Sequence, residues 1–276
     1  MNAPTKTPSA KESSEAILLR EDAGKIAILT LNRPAARNSL SEALLTALSE
    51  SFATIAKDRD IRAVVLAANG PVFCAGHDLK ELSARRGDGD RGRAYFQHIM
   101  TTCSTMMQSI VALPQPVIAA VQGMATAAGC QLVATSDLAI ASSQAKFATP
   151  GVDIGLFCST PMVALSRNVS RKQAMHMLVT GEPLSAEEAQ RAGLINRVVE
   201  PGRERAEALA LAERVASKSS HVIKIGKKAF YEQAQMPLAE AYRYASQVMT
   251  ENMMARDANE GICAFLEKRA PSWEDK

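Results

Sequence analysis

At 276 residues, 47% hydrophobic and 22% charged, the chain is long enough for one or two domains of about 150 residues and has the composition of a folded globule, which excludes an intrinsically disordered protein. Its 32 Lys and Arg against 29 Asp and Glu leave a net charge of +3, too small and too dispersed for a nucleic-acid groove, and no apolar run reaches the ~20 residues of a membrane-spanning helix. Aromatic residues are 4% of the chain beside 12 methionines, so aliphatic packing has to carry the core.

Residues 1–14, rich in Pro, Thr, Ser and Lys and without an apolar stretch, read as a disordered arm rather than a targeting sequence. Residues 25–31 (KIAILTL) and 62–67 (RAVVLA) read as aliphatic strands. Between them Leu44, Leu45, Leu48, Phe52 and Ile55 recur at helical spacing. Ser39 followed by Glu42 has the spacing of a capping box, which predicts a helix start there. Further strands are expected at 117–121 (VIAAV) and 137–142 (DLAIAS), with helices over 95–113 and 129–135. This alternation predicts an α/β fold with parallel pairing. Beyond residue 161 helical patterns dominate, over 171–180, 185–192, 203–217, 238–254 and 259–269. Pro201-Gly202 punctuates the chain and divides an α/β body at 15–200 from a helical tail at 201–276. No internal repeat of fixed period is visible.

Five cysteines, Cys74, Cys103, Cys130, Cys158 and Cys263, form no CxxC pair and no ligand set with histidine, which predicts free thiols in a reducing cytoplasm and no metal. The G-x-G-x-x-G string at 87–92 lacks the preceding apolar strand of a dinucleotide-binding turn and reads as a surface loop. The sequon at Asn168 reads as chance, and His98, His176 and His221 as ordinary helix residues. Two Gly/Ala-rich turns say more: FCAGHDLKEL at 73–82 and VQGMATAAGCQL at 121–132 each follow a predicted strand and lead into a helix. Small residues let a ligand approach the backbone, and the first N–H groups of a helix have no internal partner. Two such amides converging on one oxygen form an oxyanion hole. The spacing alone is met equally well by two tight turns packed in the core.

With LNRPAARNSL at 31–40, FATPGVDIGLFCSTP at 147–161, TGEPLSAEEA at 180–189 followed by AGL at 192–194, and EGICAFLEKR at 260–269, these runs resemble the enoyl-CoA hydratase/isomerase (crotonase) superfamily, in order and over nearly the whole chain. The resemblance implies a crotonase-like spiral of ββα repeats with a helical C-terminal trimerisation region, assembled as a homotrimer or a dimer of trimers. It implies an acyl-CoA or enoyl-CoA ligand, with CoA arriving as part of the thioester substrate and no cofactor bound permanently. By position, the amides of His77 and Ala128 would hold the thioester oxygen while enolate charge gathers on it. Arg37 would lie near the CoA phosphates, and Cys74, Ala75, Asp78, Leu79 and Lys80 would line the adenine and pantetheine. Phe265 and Lys268 would reach the CoA of a neighbouring subunit.

The departures from that pattern bear on the reaction. Hydratases of the superfamily use two glutamates, and Gln131 and Gly151 stand in their places here. An amide orients water but does not accept a proton, and glycine has no side chain, so ordinary hydratase turnover is not expected. Cys158, Asp153 and the His77 imidazole are the replacement candidates; each also reads blandly, as a small buried residue, a turn carboxylate and an outward-facing ring. The resemblance still implies an enzyme that adds or removes water, or shifts a double bond, on an acyl-CoA through an oxyanion-stabilised enolate, with Gln131 and a replacement group handling water; the alternatives are other thioester chemistry, such as hydrolysis or isomerisation, and acyl-CoA binding without turnover.

Overall fold

The structure, a computed structural model, describes residues 16–276, so the arm expected at 1–14 lies outside the described residues. β1 (Leu18–Ala23) and β2 (Ile26–Leu31) form an antiparallel hairpin. α1 (Glu42–Ile55) follows, and all five of its predicted apolar residues are buried, each contributing about 1.5–3 kcal/mol. The helix does not start at the expected box. Ser41 is the N-cap, its Oγ accepting from the Leu44 N–H at 3.2 Å, whereas Ser39 Oγ donates to Asp78. Leu40 is held in a parallel bridge with His77, which keeps the chain extended up to the cap.

The next segments repeat one design. β3 (Ala63–Ala68) joins β2 in parallel, the short β4 (Val72–Cys74) turns out of that sheet, and α2 (Leu79–Ala84) and α3 (Arg93–Ala112) follow. β5 (Val117–Val121), β6 (Met124–Thr126) and α4 (Ala128–Thr135) make the second round. β7 (Leu138–Ser142), β8 (Lys146–Ala148), a 3-10 turn at Pro150–Ile154 and α5 (Ser159–Asn168) make the third. α6 (Arg171–Thr180), β9 (Leu184–Ser185), α7 (Ala186–Ala192) and β10 (Arg197–Val199) complete the sheets. The result is a six-stranded sheet, β1-β2-β3-β5-β7-β10, and a four-stranded sheet, β4-β6-β8-β9. Each round places a long strand in the first sheet, a three-residue strand in the second, then a helix. The connecting helices differ in length, so the repeat leaves no fixed period in the sequence, and three-residue strands are too short to show alternation.

One face of the large sheet packs with α1, α3 and α4 into the main core. The other face is covered by α8 (Glu204–Ala216), whose Ala208, Ala212 and Ala216 repeat every four residues and press on Ile28, Val65, Ile118 and Ile140. α8 therefore belongs to the core of the body and not to a free tail. α9 (Ser220–Gln233), which the sequence pattern did not predict, is anchored by one buried cluster: Lys227 Nζ donates to Asp137 Oδ2 at 2.6 Å and to the carbonyls of Ile110 and Gln115, and Tyr231 donates to Asp137 Oδ1 at 2.9 Å. α10 (Leu238–Met253) and α11 (Arg256–Glu267) pack on α9 and leave Leu238, Tyr242, Met254, Phe265 and Leu266 at least 70% exposed. Among the described residues no helix is long and apolar enough to cross a membrane.

Candidate active site

The two Gly/Ala-rich turns meet. β4 and β6 are parallel neighbours, so the chain leaves both at the same end of the small sheet. A β-carbon on Gly76 (φ 86°) would stand 3.0 Å from Ala127 Cβ and 3.3 Å from Ala128 N. One on Gly129 would stand 2.1 Å from the Cys74 carbonyl oxygen, so only glycine permits α4 to start against β4. Ala127 itself sits at φ 50°, ψ −117°, a conformation that L-residues adopt only under strain, and its N–H donates to the Ala148 carbonyl at 2.9 Å.

This geometry frees two amides. In the bridge between Leu40 and His77, Leu40 N donates to the Gly76 carbonyl and Asp78 N to the Leu40 carbonyl, so the N–H of His77 faces away from Leu40. Ala128 is the first residue of α4, where no intrahelical acceptor exists. Among the described residues neither amide has an acceptor. One of these two unpartnered N–H groups lies at the positive end of a helix dipole.

Several buried side-chain atoms around these amides also lack partners: His77 Nδ1 and Nε2, Gln131 Oε1 and Thr149 Oγ1. Gln131 lies one turn along α4 and is 5% exposed, and Thr149 is fully buried directly after β8. The His77 imidazole therefore points inward, contrary to the outward alternative, and burial pulls its pKa below the usual histidine value. Thr149 was not singled out in the sequence, because a Thr before Pro150 carries no signal until the sheets are assembled.

Other expected residues fall into different roles. Cys74 is fully buried and its thiol is pushed up to about 12 by burial, so its side chain packs in the core and does not line a ligand. The Ala75 N–H donates to the Arg37 carbonyl, tying the exposed Arg37, at φ 52°, to the first turn. Asp78 caps α2 and takes bonds from Arg33 and Ser39; burial raises its pKa, but these donors outweigh that and hold the carboxyl below its usual range. Its carboxylate is thus a brace between the 33–39 turn and α2. Leu79 and Lys80 are exposed on α2. Cys158 is buried beside Gly151, and burial raises its thiol pKa, which disfavours a thiolate at neutral pH. Asp153 carboxyl oxygens lie 3.1 and 3.3 Å from where a β-carbon on Gly181 would stand, at the end of α6, the structural alternative for that residue. Phe265 and Lys268 are exposed on or just beyond α11, which packs on α9 and α10, so a place beside a ligand would require a second copy.

Surface hollows of about 300 Å³, beside Arg256, Glu260 and Arg269, and about 510 Å³, beside Ser143, Glu187 and Arg203, lie away from the two turns. Among the described residues no three His, Cys, Asp or Glu side chains converge as metal ligands would. Unpartnered amides and polar atoms define this site. Matched against known families, residues 21–276 fit enoyl-CoA hydratase/isomerase. The chain belongs to that family. It is 46% identical over 266 residues to the enoyl-CoA hydratase domain-containing protein 3, mitochondrial, of Rattus norvegicus, covering 96% of this chain and 87% of the relative. A crystal structure of enoyl-CoA hydratase from Mycobacterium smegmatis superposes with a TM-score of 0.89 at 50% identity, over 94% of this chain and 99% of that one. The human enoyl-CoA hydratase domain-containing protein 3 superposes with a TM-score of 0.89 at 46% identity, over 94% and 100%.

This family chain has the mixed α/β crotonase fold with helices at its C-terminus. The expected cytoplasmic location is corrected by the same comparison: relatives from Rattus norvegicus, Mus musculus, Homo sapiens and Danio rerio are named mitochondrial. Free thiols fit any reducing compartment, so the cysteines never discriminated between them.

Proposed function

We propose that this protein binds an acyl-CoA thioester and polarises its carbonyl toward an enolate between the amides of His77 and Ala128. The observation that carries this reading is the pair of partnerless N–H groups on two turns in contact, with Gly76 and Gly129 clearing their approach. Charge that develops on the thioester oxygen would meet donors already in place. Arg37 and Lys80, both exposed and without an ion-pair partner among the described residues, suit the CoA phosphates. Exposed Leu238, Tyr242, Phe265 and Leu266 on the last two helices support assembly of several copies, a trimer or a dimer of trimers.

Hydration is not the favoured reaction, because Gln131 and Gly151 provide no acid-base pair. The direct test compares butyryl-CoA with S-butyl-CoA, a thioether that lacks only the carbonyl oxygen. Two hydrogen bonds of about 0.5–1.5 kcal/mol each predict roughly 5- to 150-fold tighter binding of the thioester by calorimetry. Equal affinities would remove the oxyanion reading. Turnover of crotonyl-CoA is expected at least ~100-fold below that of a two-glutamate hydratase.

A further inference from the structure

Two amides stabilise charge but move no proton, so the buried polar atoms around them matter. Among the described residues, side chains with partnerless buried atoms are Thr30, Gln115 and Gln122, together with His77, Gln131 and Thr149. The last three lie around the two amides. Gln131 N donates to the Ala127 carbonyl and Ala127 N to the Ala148 carbonyl, one residue before Thr149. His77 carries one of the two amides itself. A buried polar atom without a partner costs about 1–3 kcal/mol, and native proteins rarely tolerate several together unless water or a ligand completes them.

Of these side chains only imidazole accepts a proton at neutral pH. The neighbouring carboxylates have other tasks: Asp78 is bound to Arg33 and Ser39, Glu42 to His98, and Glu81 to the Glu42 N–H. Cys158 and Cys130 have thiol pKa values raised by burial. Neither His77 ring nitrogen has a partner among the described residues, and burial lowers the ring's pKa and so favours its neutral form, which leaves a ring nitrogen free to act as a base.

Resting on the reading of this site as a thioester oxyanion hole, we propose that the His77 imidazole is its catalytic base, transferring the α-proton of the bound acyl group to and from carbon. The α C–H bond breaks, its proton goes to a ring nitrogen, and its electron pair moves into the Cα–C bond as the carbonyl pair shifts to the oxygen held by the two amides. Return of a proton to the same carbon exchanges hydrogen with solvent. On a β,γ-unsaturated thioester, return to the γ-carbon moves the double bond into conjugation. Neither outcome consumes water or a co-reactant. A single base therefore suits a 1,3-proton transfer, whereas hydration calls for an acid-base pair.

The test incubates the full chain with butyryl-CoA in D2O and follows α-deuterium by mass spectrometry, with affinity for butyryl-CoA measured alongside. Wild type is expected to exchange. His77→Gln and His77→Ala should exchange at least ~100-fold more slowly while binding within a few-fold, and free imidazole should restore part of the rate to His77→Ala. Exchange by folded His77→Gln at the wild-type rate, or wild-type binding without exchange, overturns the assignment of the base and leaves the oxyanion hole standing. Failure of the wild type to bind butyryl-CoA overturns both. Should His77→Ala not fold, the wild-type and His77→Gln measurements still decide.

Discussion

The obvious way to restore a hydratase is to return both glutamates, and the structure predicts that one of the two substitutions fails. A β-carbon at position 151 would stand 2.8 Å from the Leu156 carbonyl oxygen, 2.9 Å from Cys158 Sγ and 3.3 Å from Cys158 N. The first and last are backbone atoms. Leu156 N donates to the Gly151 carbonyl at 2.9 Å, so relieving the clash means opening the turn that leads into α5. Forcing extra atoms into a packed site costs about 1–3 kcal/mol. At about 2–4 °C per kcal/mol for a chain of this size, Gly151→Ala should lower Tm by roughly 2–12 °C, and Gly151→Glu by at least as much. Gln131→Glu is nearly isosteric, so it should fold with a smaller loss of Tm than Gly151→Glu, the cost being the burial of a carboxyl at a 5% exposed position. Thermal unfolding followed by circular dichroism and crotonyl-CoA hydration test the series together. Gly151→Ala with the wild-type Tm, or a folded Gln131→Glu/Gly151→Glu protein hydrating crotonyl-CoA ~100-fold faster than wild type, would refute the argument.

Ala127→Gly should stabilise the protein slightly, because release of the backbone strain at φ 50°, ψ −117°, worth about 1–3 kcal/mol, exceeds the entropy penalty of glycine, about 0.5–1 kcal/mol; an unchanged or lower urea midpoint would contradict this. Lys227→Met leaves the part-buried Asp137 carboxylate without its cation but still bonded to Tyr231 and the Val117 N–H, and should cost about 1.5–3 kcal/mol, read as a urea midpoint shift. Asp257 is 2% exposed and receives Ser219 Oγ and the N–H groups of Glu274 and Asp275. Burial raises its pKa, but these donors outweigh that and hold it below the ordinary 3.8. Its contribution is therefore complete above the unfolded value and lost as pH falls through the folded one. Asp257→Asn should lose about 2 kcal/mol at pH 7 and flatten the stability profile below about pH 4. Cys74, Cys103, Cys130 and Cys158 are buried and Cys263 is partly exposed, so iodoacetamide should label Cys263 first in the native protein, as peptide mapping would show.

Local signals were sufficient where a segment contains its own cause. The aliphatic runs that became β2, β3, β5 and β7, the apolar stripe of α1, and the strand-to-helix turns at 73–82 and 121–132 were legible because their periodicity and small residues are properties of consecutive positions. The family motifs were legible for the same reason. The rest depended on residues far apart in sequence. α9 is held by Lys227 reaching Asp137, ninety positions away, and α8 became core because its alanines found the uncovered face of the large sheet. Ser39 lost the cap to Ser41 because Leu40 pairs with His77. The inward direction of the His77 ring, the isolation of Thr149 and the clash that excludes a side chain at Gly151 arise only when two sheets and their turns pack together. Sequence by itself determined the long aliphatic strands, the apolar face of α1 and the family. The tertiary structure decided which side chains are buried without partners, since burial and hydrogen bonding are properties of the packed chain and not of any one segment.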